Sequence, residues 1–157
     1  MKTATIKEIK SELSQCTHQE IIELCLRLSR FKKENKELLT YLLFESTHEE
    51  GYIENIKSEV DEQFEAINTV SYYYIKKSIR KILRTIKKYI RYSKNKETEI
   101  ELLLHFCQKL KDFKPSIQRN NVLKNIYLRE LEAVKKKVKL LHEDLQYDYE
   151  LELESLS

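Results

Sequence analysis

Tyr72-Tyr73-Tyr74-Ile75-Lys76-Lys77-Ser78-Ile79-Arg80-Lys81-Ile82-Leu83-Arg84-Thr85-Ile86-Lys87-Lys88-Tyr89-Ile90-Arg91-Tyr92 contains no glycine, no proline and no acidic residue. Ile75, Ile79, Ile82, Ile86 and Tyr89 recur at spacings of four, three, four and three, which a helix gathers into one heptad seam. Lys77, Lys81, Arg84, Lys88 and Arg91 alternate in the same way and line a second stripe, with Lys76, Arg80 and Lys87 in a neighbouring row. A strand would instead put alternate residues on one face, a period this segment lacks. The segment is a basic amphipathic helix.

Moving outward, helical spacing dominates the chain. One glycine and one proline in 157 residues remove the usual punctuation of turns and hairpins. Ile6, Ile9 and Leu13 mark a short first helix. Thr17-His18-Gln19-Glu20 reads as a capping box opening a second, whose apolar face is Ile21, Leu24, Cys25, Leu28 and Phe31. Leu38, Leu39, Leu42 and Leu43 form a third stripe, either a separate helix or a continuation. Thr47 and Glu50 repeat the capping-box offset ahead of an acidic helix with Ile53, Ile56, Val60, Phe64 and Ile67 on one side. Asn68-Thr69 separates that helix from the basic one.

Beyond the Lys94-Asn95-Lys96 linker, Ile100, Leu103, Leu104, Cys107 and Leu110 define a further helix that Lys114-Pro115 stops. Leu123, Tyr127, Leu131, Val134, Val138, Leu141 and Leu145 keep heptad spacing and predict one long final helix, able to seal a bundle or to pair with a second copy as a coiled coil. The expected fold is all-α: an antiparallel bundle of about six to seven helices with a long heptad-patterned C-terminal helix, or in the alternative an irregular α-α superhelix. Residues 1–150 are taken as a single all-helical domain and 151–157 as a frayed acidic tail.

Charge is segregated by helix. Of 29 Lys and Arg, ten lie between Ala66 and Lys96, where no acid occurs, and the other 19 share the rest of the chain with 26 Asp and Glu. The simplest expectation is intramolecular: the cations pair with the adjacent acidic helix, through Glu54, Glu59, Glu62 and Glu65. Left exposed, Lys77, Lys81, Arg84, Lys88 and Arg91 would instead bind an anionic partner, and Tyr72, Tyr89 or Tyr92 would stack on bases if that partner were nucleic acid.

Catalytic and metal chemistry finds little support. A single glycine, Gly51, cannot build a Walker loop or a dinucleotide fingerprint. Glu45 and His48 have the Glu-x-x-His spacing of carboxylate-bridged bundles, but Glu101 and His105, four apart, do not repeat it. Cys16 with His18, and His105 with Cys107, are two apart and diverge on a helix. Three cysteines, no apolar leader and no long uncharged run point to a reduced, cytoplasmic chain with no membrane span. The sequence alone therefore favours a non-catalytic protein-protein interaction or scaffold module, with self or another protein as partner and no cofactor; the alternative is nucleic-acid binding through residues 72–92.

Overall fold

The computed structural model describes residues 1–157 and is all-α, with eight α-helices and no strand. The chain divides into two compact units, residues 1–44 and 45–157, within the span the sequence suggests as one domain. No helix is long and apolar enough to cross a membrane.

The first unit carries α1 (Ile6–Leu13), α2 (His18–Phe31) and α3 (Lys33–Thr40), which runs into a π-helical turn, Tyr41–Glu45. The expected capping box forms: Thr17 N–H donates to Glu20 at 2.7 Å, and Glu20 N–H donates to Thr17 Oγ1 at 3.2 Å. Thr5 and Glu8 build a second box at the start of α1, and the Thr5 N–H and hydroxyl, both donating to the Glu8 carboxylate, hold that carboxyl below its usual range. An extended Lys32 separates α2 from α3, and Asn35 secures the corner by donating to the Leu28 carbonyl at 2.8 Å. The apolar stripes of this unit are not a core. Only Tyr41 is buried; Ile6, Leu28, Phe31, Leu43 and Phe44 are exposed. Helix α2 packs on α3, and a helical pair without a further layer leaves its outer apolar faces accessible.

The second unit contains the remaining core. Helix α4 (Glu49–Glu65) buries Tyr52, Ile53, Ile56, Val60 and Phe64, and α5 (Tyr72–Ser93) buries Ile75, Ile79, Ile82, Leu83, Ile86 and Ile90. Tyr89, placed on the seam by its spacing, is half-buried, its hydroxyl donating to Glu59 at 3.1 Å. Helix α6 (Lys96–Asp112) is central, in contact with α4, α5, α7 and α8. Its Leu102 and Phe106 are buried along with the stripe read from the sequence, as expected of a helix covered on more than one side.

Three expectations fail at helix ends. Thr47 does not cap α4: His48 occupies the N-cap position without a side-chain bond, and the Glu49 carboxylate instead accepts the hydroxyls of Ser93 and, at 2.6 Å, Thr98. The long final helix is two helices, α7 (Asn121–Val138) and α8 (Glu143–Leu156). His142 caps α8 through Asp144 N–H, while Gln146 donates to the carbonyl of Leu141 at 2.6 Å. Nor does the C-terminus fray. Tyr149, Leu153 and Leu156 are buried, and Tyr127 donates its hydroxyl to the Leu156 carbonyl, so α8 is tied down along its length.

Candidate functional site

The acidic helix leaves most of the basic stripe uncovered. Lys77, Lys81, Arg84 and Arg91 are exposed and make no ion pair within 4.0 Å, and Arg80 is likewise exposed and unpaired. Lys57 and Asp61 of α4 turn toward α6, while Glu59 meets α5 only through the Tyr89 hydroxyl. Lys57 bridges to Glu101 at 3.0 Å, and Asp61 meets His105 Nε2 at 2.7 Å and Lys109 at 3.2 Å. Burial works against the Lys57 ammonium, yet Glu101 and Glu54 outweigh it and raise its pKa. Burial would likewise raise the Asp61 carboxyl, but His105 and Lys109 outweigh it and hold the group below its usual range. Helix packing decides the matter: α4 and α5 share their apolar seams, which leaves the basic arc of α5 on the opposite side.

The basic arc splits into two halves. Lys77 and Lys81 stand free in solvent, whereas Lys88 is half-buried with its ammonium 5.1 Å from the centre of the Tyr89 ring. The other half, Arg80, Arg84, Lys87 and Arg91, forms one wall of a groove of about 530 Å³ between α5 and α7. Arg129 of α7 faces them across it. Arg84 and Arg91 belong to the stripe read from the sequence; Arg80 and Lys87 belong to the neighbouring row; Arg129 has no signal in the sequence, because only packing brings α7 beside that row.

Glu130 organises this wall. It is 1% exposed, and its carboxylate receives Lys87 Nζ at 2.8 Å and Arg129 Nε at 3.0 Å, so a buried anion fixes two cations at the groove edge. Lys87 and Arg129 remain largely in solvent beyond that contact. Beside this paired set, Arg80, Arg84 and Arg91 stand exposed, and no acid on α5 neutralises them.

Other constellations do not assemble. Glu101 is engaged by Lys57 and Tyr149, His105 by Asp61, and His48 is exposed at the start of α4. No group of three or more His, Cys, Asp or Glu side chains is positioned to hold a metal ion. Cys107 is fully buried, where desolvation, with the Glu130 charge nearby, pushes its thiol up to about 12, far from a reactive thiolate. A second, polar cavity of about 440 Å³ lies among α4, α6 and α8, but its Lys57, Glu101 and His105 are committed to the pairs already described. Among known protein families, curated proteins and solved structures, none matches this chain.

Proposed function

We propose that the protein is a non-catalytic binding module that holds nucleic acid on the basic face of α5, by contacts to the phosphate backbone. One observation carries this: on the solvent face of α5, Lys77, Arg80, Lys81, Arg84 and Arg91 are exposed and without an ion pair, and no acid stands among them. Protein interfaces have an apolar centre and are depleted in lysine, whereas the only large apolar side chains α5 exposes are Tyr73 and Tyr74 at its first turn. Interfaces with nucleic acid are more polar and far more positive, which is the character of this face. From Lys77 to Arg91 the row is about 21 Å long at 1.5 Å per residue, suited to an extended polyanion rather than a point charge. Lys and Arg in such a row gain affinity by displacing condensed counterions.

A test uses fluorescence anisotropy of labelled DNA and RNA oligomers, with polyglutamate and phosphatidylserine vesicles as alternative anions. Reversing Lys77, Lys81, Arg84 and Arg91 to Glu should lower nucleic-acid affinity by about tenfold or more at low salt. Unchanged affinity, or a preference for polyglutamate or vesicles over nucleic acid, would refute the proposal.

A second reading rests on the first unit. A protein partner for residues 1–44 is supported by Ile6, Leu28, Phe31, Leu43 and Phe44, all more than half exposed. Crosslinking that recovers no contact through α2 or α3, with self or any other protein, would count against it.

A further inference from the structure

The aromatic and cationic residues of α5 share one line. Counting by alternate steps of four and three, Tyr73 lies on the row of Lys77, Arg80, Arg84, Lys87 and Arg91, at its N-terminal end. Its ring is 66% exposed and meets only Tyr74, edge-on, at 5.3 Å. The hydroxyl has no hydrogen-bond partner and the ring fills no core space, so neither packing nor polarity accounts for an aromatic at this point. At the other end of the row, the α5–α7 groove has an apolar floor, with Leu83 and Ile126 buried beneath the arginines.

We infer that the ligand of this face is single-stranded nucleic acid, its backbone tracking the cation row while one base stacks on Tyr73 and another enters the groove over Leu83 and Ile126. This deepens the proposed function and rests on it. A duplex keeps its base faces stacked inside and offers only phosphates, so it would use the cations but neither Tyr73 nor the apolar floor. An unpaired strand uses all three: phosphates on Lys77, Arg80, Arg84 and Arg91, and exposed base faces on an aromatic ring and on guanidinium planes. Tyr73 to Arg91 spans about 27 Å of helix, room for several nucleotides.

The chain contains no tryptophan, which supplies a direct probe. Tyr73→Trp places a single indole at the stacking position. Titration with oligo(dT) and oligo(U) of about twelve nucleotides should quench its emission, while a duplex of equal length should leave it unchanged. In unlabelled protein, Tyr73→Ala should weaken single-strand binding about fivefold or more and leave duplex binding as it was, and Tyr73→Phe should restore it. Binding of duplex as tight as single strand, lost on charge reversal of Arg80, Arg84 and Arg91 but indifferent to Tyr73, would overturn this inference while the proposed function stands. Absence of binding to any of the oligomers would overturn both. Folding of each variant is checked by thermal unfolding, which an exposed ring should leave unchanged.

Discussion

Glu130 is the residue on which the basic wall depends. It is 1% exposed and its carboxylate meets Lys87 and Arg129, each more exposed, at 46% and 65%. Replacing both cations by Ala leaves a buried, unpaired carboxylate, and urea denaturation should show a loss of about 3 kcal/mol, larger than the sum for the single variants. Binding variants therefore belong at Arg80, Arg84 and Arg91, which are exposed and make no ion pair. Cys107 gives a second residue-level expectation: a thiol reagent should label the half-buried Cys16 and Cys25 in the native protein and reach Cys107 only on unfolding. At Asp61 the folded carboxyl titrates below its ordinary 3.8, so its pairing with His105 and Lys109 stabilises the fold above about pH 4 and is lost as pH falls through the folded value. The stability difference between wild type and Asp61→Asn should accordingly be present at pH 5 and diminished at pH 3. The burial of Cys107 is legible from its place on an apolar stripe, but the pairings of Glu130 with Lys87 and of Asp61 with His105 and Lys109 are not, because each joins side chains from different helices.

At the scale of the element, α8 is the clearest structural test. Leu153 is 6% exposed, and Leu153→Ala should cost about 2–4 kcal/mol in urea or thermal unfolding, where a frayed tail would show no change. Sequence periodicity extends one helix through Leu141 and Leu145 because both keep heptad spacing and neither glycine nor proline interrupts them; the break is made by His142 and Gln146 bonding to backbone, a local signal weaker than the apolar stripe. Helix α5 is the opposite case. Its limits at Asn68-Thr69 and Lys94-Asn95-Lys96 and its isoleucine seam are legible, and Ile75, Ile79 and Ile86 are fully buried. Its basic arc is legible too, but which half of the arc walls a groove is not: spacing ranks residues around one helix, while the position of α7 beside the row of Arg80, Arg84, Lys87 and Arg91 comes from tertiary packing.

For the whole molecule, the core and the basic face lie together in residues 45–157, since every buried apolar side chain except Tyr41 belongs there. A fragment comprising 45–157 should unfold cooperatively and retain the nucleic-acid affinity of the full chain, whereas residues 1–44 alone, with a single buried side chain, should show marginal helicity by circular dichroism. All-helical class was legible from the near absence of glycine and proline. The exposure of the N-terminal stripes was not, because an apolar face in a sequence does not say whether a further layer exists to cover it. The central claim, that the unpaired cations of α5 bind a phosphate backbone, is tested most directly by the salt dependence of affinity for oligo(dT). Each single-strand phosphate contact contributes about 0.7 to the slope of log affinity against log salt. Arg80→Gln, Arg84→Gln and Arg91→Gln together should flatten that slope by about 2 and lower affinity at low salt; a slope that is the same in wild type and triple variant would contradict the claim.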